Sequence, residues 1–215
     1  MVKNWEAALK QILETYNQSN QNIDWILVGS IGSVLQGCTF SPNDIDLYTK
    51  NVEGVHQFAE LLDGFSLERK SPYDHNDINW LSSKEEKTFT QTFSWGFSWT
   101  KGRWVIKGAE VEVVSISESA GIPDSFDGDG IWEGGKYIWD LAKKVRIGEY
   151  EIPVVPLEIQ LESNLRRERF ERADEICRVL LQNGYDSDML KKALSTFNMN
   201  YFNQYTEKNS GEAEQ

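Results

Sequence analysis

Cysteine is nearly absent from the 215 residues: Cys38 and Cys177 stand far apart and in no metal-ligand spacing, which argues against a disulfide framework or a zinc site. No apolar run approaches the roughly 20 residues that span a bilayer, and the opening Met-Val-Lys-Asn-Trp-Glu has no signal-peptide core. The expectation is a soluble, cytoplasmic protein with no membrane partner. Positive charge is also short, with 22 Lys and Arg against 34 Asp and Glu and a formal net charge of −12. Such a molecule repels a polyanion, so nucleic acid is disfavoured and a small or cationic acceptor fits better. Histidine occurs only at positions 56 and 75, each expected to be a surface residue rather than a ligand or base.

What is present is apolar and aromatic: 40% hydrophobic residues, with 8 Trp, 8 Tyr and 10 Phe, enough to fold one globular domain with a sizeable core. Apolar positions at Trp5, Ala8, Leu9, Ile12 and Leu13 recur at helical spacing and predict an amphipathic first helix over residues 4–18. A strand follows from Trp25, then a short helix over 31–35 and another helix over 51–62 closed by Asp63-Gly64. Between 87 and 106 threonines alternate with aromatics, which is antiparallel strand chemistry. The loop over 122–135 holds Asp127-Gly128-Asp129-Gly130, a fragment of a calcium loop in which Ser125 and Lys136 stand where the motif needs Asp and Glu. It reads as a flexible turn or a lip over an acceptor pocket. A short helix over 136–144 and a strand or hairpin over 145–155 come next. Residues 156–183 read as a helix with Leu157, Leu161 and Leu165 inward, so most of Arg166, Arg167, Arg169 and Arg172 are expected on its solvated outer face. A last helix runs over 186–205. These elements divide the chain into a core over 1–155, a C-terminal helical region over 156–206 and a disordered polar tail over 207–215.

The densest chemistry lies between residues 25 and 49. The apolar run Trp25-Ile26-Leu27-Val28 stops at Gly29-Ser30, and a second run, Asp44-Ile45-Asp46-Leu47, holds two carboxylates one residue apart. In a strand, alternate residues share a face and lie about 6.5 Å apart, so the two aspartates point one way while Ile45 and Leu47 point the other. Paired carboxylates repel each other, and a hard divalent cation such as Mg²⁺, accompanied by substrate phosphates, relieves that repulsion. Gly29-Ser30 lets the backbone approach a ligand, with N–H groups at the start of the following helix attracting phosphate. Standing alone, this glycine-serine pair reads more simply as a strand-to-helix turn.

Gly29-Ser30 after an apolar strand, followed by Asp44-Ile45-Asp46-Leu47, resembles the signature of the nucleotidyltransferase superfamily, whose members include DNA polymerase beta, poly(A) polymerases and antibiotic nucleotidyltransferases. That family places a third acid between apolar residues on a later strand, and Val111-Glu112-Val113 has this form. Glu110 shares a face with Glu112 by period two and stays in reserve. The resemblance implies an α+β fold, a mixed sheet flanked by helices with a small C-terminal helical segment. It implies Mg²⁺ held by Asp44, Asp46 and Glu112, phosphates cradled by Gly29 and Ser30, and an NTP as co-substrate. The reaction would move a nucleoside monophosphate to a hydroxyl of a small-molecule acceptor and release pyrophosphate. The competing readings are an inactive, regulatory relative of antitoxin type, and a carbohydrate- or peptide-binding β domain with tryptophans lining its cleft.

Overall fold

The computed structural model describes residues 5–210. Seven strands form one mixed sheet in the order β3-β4-β5-β2-β1-β7-β6, comprising β1 (Trp25–Val28), β2 (Asp44–Thr49), β3 (Phe89–Thr92), β4 (Ser98–Ile106), β5 (Ala109–Ile116), β6 (Lys143–Ile147) and β7 (Tyr150–Val154). The helices are α1 (Trp5–Gln18), α2 (Gly29–Leu35), α3 (Val52–Leu61), α4 (Ile138–Leu141), α5 (Leu157–Arg166), α6 (Phe170–Asn183), α7 (Ser187–Ala193) and α8 (Thr196–Ser210). The fold is α+β, a mixed sheet flanked by helices. Strand β1 runs antiparallel to β2 and parallel to β7, and β2 runs parallel to β5.

The side-chain alternation of the strands explains how the layers assemble. Trp25, Leu27, Ile45, Leu47, Val111 and Val113 point to one face and meet Leu9, Ile12 and Leu13 of α1 and Val55 and Phe58 of α3 in a single apolar cluster. Asn51 caps α3 by accepting the Gly54 N–H at 2.9 Å. On the other face, Ile26 and Val28 meet Val155, Ile159, Ile131, Ile138 and Ala193. A third cluster joins Leu157, Leu161 and Leu165 of α5 to Ile176 and Leu180 of α6 and Phe202 of α8. Strand β2 is therefore apolar only on the α1 and α3 side, and the opposite side carries Asp44, Asp46 and Tyr48.

Two helices expected to be continuous are broken. Glu168 adopts a left-handed φ of +54°, and the chain turns there with the Glu168 N–H on the Leu165 carbonyl and the Arg169 N–H on the Asn164 carbonyl. A residue in this conformation ends a helix, so α5 and α6 are separate. Asp186 caps α7 through the Asp188 and Met189 N–H groups, and α8 begins afresh at Thr196. Helix α8 also continues through residues 207–210, which the polar composition had assigned to a disordered tail; the apolar anchor one turn earlier, Phe202, is buried and extends the helix beyond it. Residues 211–215 of that tail lie outside the described residues.

The loop over 122–135 is also more ordered than its glycines and aspartates indicate. Residues 131–135 are buried, the Ile131 N–H donates to the Ala193 carbonyl at 2.8 Å, and a Cβ on Gly130 would fall 2.5 Å from the Ser195 nitrogen. Within the calcium-like fragment, Ser125 donates to Asp129 at 2.8 Å, a closed turn of its own.

Candidate functional site

The register of the central strands brings the acids of the motif together. Asp46 lies beside Val28 of β1 and beside Glu112 of β5, and Asp44 lies beside Glu110. Parallel neighbours in register share a face, so both glutamates lie on the aspartate side of the sheet. Asp44, Asp46 and Glu112 line one cavity of about 400 Å³ with Gly29, Ser30, Asn43, Tyr48, Glu133, Arg167, Arg169 and Arg172. Glu110 is not among its lining residues. Chain connection explains the convergence: β1 ends at Val28, α2 leaves the sheet from Gly29, and β2 starts at Asp44.

Gly29 is required by two separate constraints. Its φ is +69°, and a Cβ there would sit 2.8 Å from Asp46 Oδ2, so only glycine lets the bend close over the aspartate. Its N–H donates to Glu133 Oε2 at 3.0 Å. The amide expected to meet a phosphate is thus held by a carboxylate. Ser30 is buried directly behind it.

Electrostatics single out Asp46. Burial pushes its carboxyl well above the usual aspartate range, and the neighbouring Asp44, Glu112 and Glu133 push it further, with Arg167 opposing them. The Tyr48 hydroxyl is likewise driven up by burial, then by Glu133 and Asp46. Arg167 resists its own desolvation because Glu133 holds it as a guanidinium through an ion pair. Burial lowers Arg169, and the like charges of Arg167 and Arg172 lower it further. The cavity thus sets crowded carboxylates on one wall against crowded arginines on the other.

Glu112 is not crowded in the same way. Its Oε2 accepts Arg103 Nε at 3.1 Å, Arg103 Nη2 at 2.5 Å and Lys101 Nζ at 3.3 Å, all from β4. Among the described residues, no group of three or more His, Cys, Asp or Glu is gathered closely enough to hold a metal ion. Asp44 and Asp46 fit a magnesium ion by chemistry, since they are hard oxygen donors and a cation offsets the burial and like-charge repulsion that hold Asp46 high. Glu112 engages Arg103 and Lys101 through Oε2, which leaves Oε1 as the oxygen it can offer to an ion or a proton.

Two side chains that line the cavity were not named as site residues from the sequence. Glu133 lies in a loop taken as a flexible lip, and is buried because its backbone N–H donates to Ser163 of α5 at 2.8 Å. Arg167 belongs to the arginine run assigned mainly to a solvated face; the left-handed turn at Glu168 instead directs it to Glu133. The hint available was the arginine run itself, of which one or two members could have been expected to reach a triphosphate. His75 stacks on Phe89 with ring centroids 4.2 Å apart and pairs with Glu86 at 3.1 Å, outside this cavity.

No protein-family model matches the chain, and no curated protein matches it. Among solved structures, it is similar to a Thermotoga maritima protein described as a "putative nucleotidyltransferase", at 21% identity and a TM-score of 0.47, over 81% of this chain and 92% of that one.

Proposed function

We propose that the protein is an NTP-dependent nucleotidyltransferase acting on a hydroxyl of a small-molecule acceptor. The observation that carries this reading is the register that sets Asp46 beside Glu112 and lines both, with Asp44, along one cavity with Gly29, Ser30 and three arginines. Asp44 and Asp46 would hold magnesium, which when bound supplies positive charge to the nucleotide's phosphate oxygens. Arg167, Arg169 and Arg172 neutralise the remaining phosphate charge. Ser30 and the Gly29 bend shape the wall on which the triphosphate rests. The acceptor oxygen attacks the α-phosphorus, the bond from that phosphorus to the bridging oxygen breaks, and pyrophosphate leaves. Glu112 takes the hydroxyl proton on Oε1, the oxygen that bears none of the Arg103 and Lys101 bonds.

Two observations favour a second reading, a nucleotidyltransferase-like binding or regulatory module. Glu112 is neutralised by Arg103 and Lys101, and the Gly29 N–H is occupied by Glu133. The readings part on turnover. Purified protein incubated with Mg²⁺, each of the four α-labelled NTPs and a panel of hydroxylated acceptors should release pyrophosphate and label one acceptor, and Asp44→Asn should abolish both. Magnesium-dependent nucleotide affinity without transfer to any acceptor would favour the module. No such affinity by calorimetry would remove both.

A further inference from the structure

Glu133 already holds two of the donors that nucleotide phosphates would need. Its Oε1 accepts Arg167 Nη1, and its Oε2 accepts the Gly29 N–H at 3.0 Å. A guanidinium and a backbone amide are donors that phosphate oxygens and carboxylates take alike. Of the three arginines along the cavity, Arg167 is therefore paired with an acid of the same cavity. That acid also sits against like charge, since Glu133 is one of the carboxylates that repel Asp46.

The backbone that carries Glu133 is fixed. Its own N–H donates to Ser163 Oγ at 2.8 Å, the Ile131 N–H donates to the Ala193 carbonyl at 2.8 Å, and Gly135 packs so closely on Asp124 that a Cβ there would fall 2.3 Å from its Oδ2. The side chain is different. It lines the cavity of about 400 Å³, so rotation about its own bonds carries the carboxylate away from Arg167 and Gly29 with the loop unmoved. Arg167, whose side chain is 37% exposed against 4% for Glu133, can change partners without further loss of water.

We propose that Glu133 is a latch on the nucleotide site, holding Arg167 and the Gly29 N–H until an entering triphosphate displaces it from both. The proposal rests on the reading above in needing a triphosphate in this cavity, but it does not need transfer. The triphosphate replaces one anion by another, so its apparent affinity falls short of what its contacts alone supply, by the fraction of molecules in which the latch stands open. Glu133 thereby regulates occupancy of the site by competing for Arg167, the reverse of a residue that positions Arg167 for the nucleotide.

The test is calorimetric titration of the full chain with magnesium tripolyphosphate, which carries the triphosphate without a base. Glu133→Gln keeps the shape of the side chain and an oxygen for the Gly29 N–H but gives up the charge that holds Arg167. It should bind about 10-fold more tightly than wild type. Arg167→Met should then weaken binding more in the Glu133→Gln background than in wild type, because only there is the guanidinium released beforehand. A Glu133 that positions Arg167 gives the opposite sign. That outcome, or equal or weaker binding by Glu133→Gln, overturns the proposal. The place of binding is read at the Gly29 amide: Val28-Gly29 is the chain's single Val-Gly step, so labelling valine at the carbonyl carbon and glycine at nitrogen isolates its resonance, which the titration should shift saturably. Binding that leaves this resonance unmoved, or no binding by either protein, also overturns the proposal. The transfer assay judges the enzyme separately. Tighter binding by Glu133→Gln with no acceptor labelled leaves the latch standing and sinks the transferase reading, and a labelled acceptor with no tighter binding does the reverse.

Discussion

Helix α5 and the carboxylate cavity beside it both bury charge, and they handle it in opposite ways. In α5 every residue from Leu157 to Leu165 is buried, including Glu158, Gln160, Glu162, Ser163 and Asn164. Its charges are answered from within the fold: Glu158 takes Lys143, and Glu162 takes Arg166, the Ser195 N–H and the Asn198 amide. Only Gln160 Nε2 and Asn164 Oδ1 on this helix find no partner. In the cavity, burial pushes the Asp46 carboxyl up and the surrounding like charge pushes it further. A fold able to pair buried glutamates this fully leaves Asp46 under repulsion where a ligand can relieve it. The contrast separates charge answered within the fold from charge left crowded by like neighbours.

The largest effect expected from breaking this contrast is on the structural side. Glu162→Ala takes the carboxylate from Arg166 and leaves the half-buried Ser195 N–H and the buried Asn198 amide without an acceptor, and should cost about 3–5 kcal/mol, measured as the loss of unfolding free energy in urea. On the other side, Asp46→Asn should abolish nucleotide transfer by more than about 10²-fold, the scale of a lost electrostatic stabiliser, while raising the melting temperature at neutral pH. The sign follows from the raised carboxyl. The folded state holds its proton more tightly than the unfolded state, so ionisation costs stability as pH climbs from the ordinary aspartate value through the raised one. The stability advantage of Asp46→Asn over wild type should therefore vanish in acid and widen toward neutrality. Equal pH profiles for the two proteins would mean that the Asp46 carboxyl is not raised by its burial and its acidic neighbours.

Smaller effects sharpen the same boundary. Gly29→Ala forces a side chain into a left-handed conformation and against the Asp46 carboxylate, and should cost about 1–2 kcal/mol together with most of the nucleotide affinity, read by calorimetry. Asn51→Ala removes the α3 cap on the opposite face of the sheet and should cost about 1 kcal/mol with transfer unchanged. A loss of activity there would show the two faces to be coupled.

Much of the fold was legible because local patterns had little to compete with. The α1 stripe of Ala8, Leu9, Ile12 and Leu13, the Thr-aromatic alternation of β3 and β4, and the split of β2 into an apolar and an acidic side all follow from side-chain period. The shared face of the aspartate pair was legible for the same reason, whereas period two left Glu110 and Glu112 equal and Glu112 was singled out only by its resemblance to the nucleotidyltransferase signature. The helix breaks were not, because Glu168 is an ordinary helix former whose left-handed φ is imposed by packing. Nor was Glu133, since a glycine-rich stretch carries no mark of the partner that will bury it.

The sequence alone determined which residues of one element share a face: the order of amino acids sets which way each side chain points once a strand or helix forms, and the pairing of Asp44 with Asp46, like that of Glu110 with Glu112, needed nothing more. Only the tertiary structure decided which charges meet. Glu133 reaches Gly29 across 104 positions and Arg167 across 34, and Arg103 claims Glu112 through the pairing of β4 with β5. Long-range ion pairs depend on distances that no local pattern encodes, and here they decide which carboxylates stay available to a ligand.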